Sequence, residues 1–150
     1  MTKQELQKEL KQAMFDKDEL KKSVLRMLIS AISYYEIDKG GAGYSATDED
    51  VMVVIEKQVK QRKDSIEQYT AGNRPDLAEK ESQELVLLNK YMPEQMGEDE
   101  IRTLVKEAIS QTGAATPQDM GKVMGALMPK TKGKADGSIV SRIVKEELAK

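Results

Sequence analysis

An all-α protein follows from three features of the 150-residue chain. Apolar residues recur at helical spacing along nearly its whole length, glycine and proline punctuate the segments so defined, and β-favouring runs are missing. Aromatic residues amount to 4%, and the β-branched runs are short, so no strand of useful length is expected. The break at Met92-Pro93 divides the helices into an N-terminal bundle of about four, residues 1–93, and a C-terminal three-helix domain, residues 94–150. A chain of this length can form one domain or two small ones, each with a modest core.

Taken in order, Thr2-x-x-Glu5 is a capping box, and Leu6, Leu10, Ala13 and Met14 carry a helical stripe to about Asp16. Asp16 or Asp18 caps the second helix, with Leu20, Val24, Leu25, Leu28, Ile32 and Tyr35 facing inward. Lys39-Gly-Gly-Ala-Gly43 ends it in what should be a mobile loop. Thr47-x-x-Asp50 opens a third helix of about 25 residues and about 37 Å, lined by Val51, Ile55, Val59, Ile66 and Tyr69. Its opposite face carries Lys57, Lys60, Arg62 and Lys63, interleaved with carboxylates, and reads as a solvated face. Gly72 is the expected stop, and Pro75 starts a fourth helix with Leu77, Leu85, Leu88 and Tyr91 inward.

In the tail, Glu98-Asp-Glu100 begins a helix with Ile101, Leu104, Val105, Ala108 and Ile109 inside, ended by Gly113. Thr116 as N-cap and Pro117 at the first position start the next, whose apolar face is Met120, Val123, Met124, Leu127 and Met128, with Pro129 as its stop. At that spacing the methionines read as core rather than as a partner groove. Gly121 and Gly125 fall side by side on this helix, each costing it roughly 1 kcal/mol relative to Ala. Such a cost implies close approach, either of another helix or of a ligand. The turn Lys130-Thr-Lys-Gly-Lys134 then sets three ammonium groups within five residues, and Asp136 caps a last helix lined by Ile139, Val140, Ile143, Val144 and Leu148.

The formal charge is −2, but the distribution is uneven: residues 46–100 carry an excess of seven acidic groups and residues 119–150 an excess of three basic ones. The chain has neither Cys nor His. Thiol nucleophiles, histidine bases and thiolate or imidazole zinc sites are thereby excluded. No glycine-rich phosphate loop is present, since neither Gly121-Lys122 nor Gly133-Lys134 has a glycine five positions earlier. The acidic clusters Asp48-Glu-Asp50 and Glu98-Asp-Glu100 sit in first turns, where carboxylates favour the helix dipole, so no metal is expected there. The polar N-terminal helix and the lack of any long apolar run argue against a signal peptide and a membrane span, and lead to the expectation of a cytoplasmic protein.

The stretch from Asp119 to Gly137 resembles the tail signature of the GatB/YqeY family, in which a DMGKVMG-like helix leads through a basic glycine turn into the final helix. Arg26-Met-Leu-Ile-Ser-Ala31, Lys60-Gln-Arg-Lys-Asp-Ser65, Asp76-Leu-Ala-Glu-Lys-Glu81 and Tyr91-Met-Pro-Glu-Gln95 are likewise similar to the YqeY-like pattern, in the same order. The same tail module closes the B subunit of the tRNA-dependent amidotransferase, a carbon–nitrogen ligase that uses glutamine as amide donor. It is also appended to some glutaminyl-tRNA synthetases. The resemblance implies a non-catalytic tRNA-binding or amidotransferase-related accessory protein without a cofactor, because the chemistry of that complex resides in other domains and subunits. It implies tRNA, and an amidotransferase or aminoacyl-tRNA synthetase, as partners. Lys130, Lys132, Gly133 and Lys134 would form the RNA-binding turn, extended by Lys122 and Arg142, with Gly121 and Gly125 as positions of close approach. A helical protein-interaction module that never meets RNA is the alternative.

Overall fold

A computed structural model describes the whole chain, Met1 to Lys150, as seven α-helices and one short 3₁₀ turn, with no β-strand. The helical class expected from the periodicity is the class found. The chain divides into two compact units, Met1–Met92 and Pro93–Lys150, each with its own apolar core.

In the first unit, α1 (Lys3–Phe15) starts at a complete capping box: the Thr2 hydroxyl accepts from the Glu5 N–H at 3.1 Å, and the Glu5 carboxylate accepts from the Thr2 N–H at 2.7 Å. Lys17, at φ 58°, closes that helix, and Asp18 caps α2 (Glu19–Gly40) by accepting from the Lys21 N–H. A second capping box, Thr47 with Asp50, opens α3 (Asp48–Ala71), and Pro75 takes the first position of α4 (Pro75–Asn89). α1 lies along α2 and α3 along α4, while α2 packs on both α3 and α4. Leu6, Leu25, Leu28, Ile32, Val51, Ile55 and Leu88 are fully buried among them. Each stabilises the fold by roughly 1.5–3 kcal/mol relative to being exposed.

Three expectations for this unit change. Arg62, which helical period alone puts on a solvated face, is buried against Glu84 of α4, Nε to Oε2 3.3 Å. α4 covers that side of α3, and a charge placed beneath it requires a partner. Gly72 is not the left-handed residue that ends α3; its φ is −82°, and Asn73 at φ 57° takes that role, with the Arg74 N–H bonded to the Tyr69 carbonyl at 2.8 Å. The glycine segment after α2 is tied down on both sides. The buried Asp50 carboxylate accepts from Lys39 Nζ (2.5 Å), Tyr44 OH (2.5 Å), Tyr35 OH (3.1 Å) and the Thr47 N–H (3.0 Å).

In the second unit, α5 (Glu98–Thr112), α6 (Met120–Thr131) and α7 (Gly137–Leu148) pack pairwise around Ile101, Val105, Val123, Leu127, Val140, Ile143 and Val144. Gly113, at φ 68°, ends α5 in the left-handed conformation. Thr116 and Pro117 begin the 3₁₀ turn Pro117–Asp119, and α6 starts only after it. The Asp119 carboxylate accepts from the Ala115 and Thr116 N–H groups at 3.0 and 3.2 Å, and these bonds, Ala115 first, hold its pKa below the usual range. Pro129 does not stop α6, which runs on to Thr131. In the last turn the missing N–H removes a single bond, and the core contacts of Leu127 and Thr131 carry the backbone through. Met128 is 51% exposed rather than part of the apolar face, which is narrower than its spacing implied.

Candidate functional site

The basic turn is held between two helices that the core positions. Thr131 is buried, and its hydroxyl donates to the Leu127 carbonyl at 3.2 Å. The Lys132 N–H reaches the Met128 carbonyl at 3.0 Å, Gly133 at φ 78° reverses the chain, and the N–H groups of Lys134 and Ala135 both return to the Thr131 carbonyl, at 2.9 and 3.0 Å. From the other side, the Met96 N–H donates to the Lys134 carbonyl at 2.8 Å, and Gln95 Nε2 donates to the Gly133 carbonyl at 3.0 Å. The turn is therefore anchored at alternate residues. Thr131 and Gly133 are buried, while Lys130, Lys132 and Lys134 are exposed.

None of these three ammonium groups forms an ion pair, whereas both arginines of the unit do. Arg102 bonds Glu146 at 2.8 Å and Glu147 at 2.6 Å. Arg142 bonds Glu146 at 2.9 Å and also Glu98, contacts that raise its pKa, Glu146 contributing more. Arg142 is thus engaged in a structural network rather than available beside the lysine turn. Lys122 is largely exposed and has only Asp119 nearby, at 3.9 Å. Lys150 and then Arg102 hold the Glu147 carboxyl down at about 2.

A Cβ added at Gly121 or Gly125 would meet nothing within 4 Å. Packing of another helix of this chain against these glycines is therefore ruled out. Both lie on the exposed side of α6 with Met128 and leave a strip of bare helix backbone. Gln95 was not among the expected site residues; its only signal in the sequence is its place in the Tyr91 to Gln95 motif.

Elsewhere, several side-chain hydroxyls are engaged by the backbone of their own helix, while the Ser138 hydroxyl donates to the Asp136 carboxylate at 2.6 Å. The hydroxyls of Ser33, Thr70, Ser82, Thr103, Thr112 and Thr131 each donate to a backbone carbonyl four residues earlier, and none is set against a base. No three carboxylates gather as a metal site, and no helix is long and apolar enough to cross a membrane.

The family profile described as Yqey-like protein matches residues 3–148. This chain belongs to the YqeY-like family. Among curated relatives, altered inheritance of mitochondria protein 41, mitochondrial, from Candida glabrata is 36% identical over 152 aligned positions, covering 94% of this chain and 81% of the yeast protein. The protein of the same name from Vanderwaltozyma polyspora is 46% identical over 88 residues, covering 58% of this chain and 46% of its own length. That from Saccharomyces cerevisiae is 41% identical over 87 residues, with the same coverage of 58% and 46%. In these last two the match spans less than half of the relative. The names also correct the expectation of a cytoplasmic protein, since all three relatives are named as mitochondrial.

Proposed function

We propose that this YqeY-like protein is a non-catalytic accessory protein that binds structured RNA of the tRNA class through the Lys130–Lys134 turn. One observation carries the reading: three unpaired ammonium groups project from a turn whose backbone is locked from both sides, while the arginines of the same unit are neutralised. A preformed row of cations with exposed helix backbone beside it suits contact with phosphates and recognition by shape, which needs few base contacts. Ordering costs little on binding when the backbone is already fixed. An amidotransferase or an aminoacyl-tRNA synthetase is the partner class implied by the family resemblance, and it would carry any bond-making chemistry.

Fluorescence anisotropy of labelled tRNA, titrated at two salt concentrations beside a duplex RNA control, tests the reading. Each phosphate contact contributes roughly 0.7–0.9 to the log–log salt slope. Replacing Lys130, Lys132 and Lys134 by Ala should lower that slope by about 2–3, so that a loss of affinity of roughly 20- to 40-fold between 50 and 200 mM salt disappears. An unchanged slope in the folded triple variant would refute the assignment of the turn.

A further inference from the structure

Two family-like motifs, Arg26 to Ala31 on α2 and Lys60 to Ser65 on α3, have no part in the basic turn, yet they meet across one seam: Arg62 Nη2 lies 3.9 Å from Met27 Sδ. Beyond that contact the seam opens into a groove of about 520 Å³, lined on α2 by Ala31, Tyr34, Ile37 and Asp38 and on α3 by Val54 and Gln58, among others. α2 has a second apolar stripe here. Its inward face is Val24, Leu25, Leu28 and Ile32, but Met27, Ala31, Tyr34 and Ile37 recur at i, i+4, i+7 and i+10 on another side. Met27 is 44% exposed, Tyr34 75% and Ile37 63%. Large apolar groups in a row at helical spacing, uncovered, mark a docking surface rather than scattered surface residues.

We propose that the α2/α3 groove binds an amphipathic helix of a partner protein, apolar on the face it lays into the groove and flanked by carboxylates. From Met27 to Asp38 the stripe is about 16 Å long, the length of three helical turns. Two antiparallel helices offer a third the same ridges and grooves by which bundles pack. Charge comes from Lys57, which lines the groove on the α3 side, and from Arg26, next to Met27 on α2 beyond the groove's lining; both are exposed and form no ion pair, so both are free for carboxylates. Asp38 at one end and Arg26 toward the other set a direction. The N-terminus of the docked helix, with its partial positive charge, belongs near Asp38. A nucleic acid fits less well, because of the two rings that line the groove only Tyr34 is exposed, Tyr35 being half-buried with its hydroxyl bonded to Asp50, so no succession of stacking platforms is offered.

The test is an NMR titration of the full chain with a synthetic helical peptide of about 16 residues, leucines on one face and glutamates on its flanks. Controls are the same peptide with lysine flanks, a scrambled peptide and an oligouridylate. Saturable shifts should centre on Met27, Tyr34, Ile37 and Lys57, with the glutamate-flanked peptide binding about ten-fold tighter than the lysine-flanked one. Tyr34→Ser and Ile37→Ser, at positions outside the core, should each weaken binding about ten-fold without altering the helical spectrum. The Arg26→Glu/Lys57→Glu double variant should reverse the preference for flank charge. Absent shifts, shifts centred elsewhere, equal binding of the lysine-flanked or scrambled peptide, or binding of the oligouridylate at this groove would each overturn the proposal.

Discussion

Removing Arg62 alone should damage the first unit far more than removing Arg62 together with Glu84. Their side chains are 4% and 7% exposed, and Nε and Oε2 are 3.3 Å apart. At that separation two unit charges attract by about 5 kcal/mol for an effective dielectric constant near 20, part of which offsets the cost of taking both out of water. Arg62 also donates to Gln58 Oε1 at 3.0 Å. In Arg62→Met the Glu84 carboxylate stays buried without a counter-charge, and the expected loss is about 3–5 kcal/mol. Glu84→Leu strands the guanidinium and should cost a similar amount. The double variant, with apolar groups of comparable volume, should fall within about 1 kcal/mol of the parent or above it. Urea unfolding followed by far-ultraviolet circular dichroism gives the three free energies. Because the two units can unfold separately, hydrogen exchange of α3 and α4 amides assigns the change to the first unit. A single-variant cost below about 1 kcal/mol, or a double-variant cost equal to the sum of the singles, would refute the reasoning.

Other outcomes can be stated from the second unit. Glu147 titrates at about 2 against an ordinary 4.5, so the stability it contributes is complete above about 4.5 and is lost as the pH falls through about 2. Carboxyl NMR of Glu147 should show that low midpoint, and Glu147→Gln should flatten the acid limb of the melting profile; a midpoint near 4.5 would contradict the ion-pair network. Gly133→Ala, at φ 78°, should cost about 1–2 kcal/mol in thermal unfolding. Gly121→Ala and Gly125→Ala, open at the Cβ position, should instead stabilise by up to about 1 kcal/mol each. Opposite signs at these glycines separate a backbone requirement from an open surface. Gln95→Ala removes the bond to the Gly133 carbonyl and should reduce RNA affinity in the anisotropy assay by less than the triple lysine variant does, because it loosens the turn without removing charge.

Helix starts were written locally and could be read locally. Thr2 with Glu5, Thr47 with Asp50, and Pro75 each satisfy or replace N–H groups within one turn, so nothing distant affects them. Helix ends were less legible. Asn73, not Gly72, takes the left-handed position after α3, a role that asparagine also tolerates, and α6 continues through Pro129 because the core contacts of Leu127 and Thr131 outweigh the preference of a single residue. The spacing of the three turn lysines was visible in the sequence, as was their separation from the acidic middle of the chain.

What required the tertiary structure was partnership. Arg62 and Lys57 belong to the same run of cations on α3, yet one is buried against Glu84 and the other lies open at a groove. Arg142 and Lys134 belong to the same basic tail, yet one is occupied by Glu98 and Glu146 and the other has no counter-ion. Periodicity assigns a residue to a side of its own helix, and it carries no information about which helix covers that side. The sequence by itself therefore determined the helical class, the order of elements and the location of a basic turn. Only the packing decided which charges are neutralised, which glycines are open and which apolar stripe is left uncovered, because each of those depends on atoms brought together from distant parts of the chain.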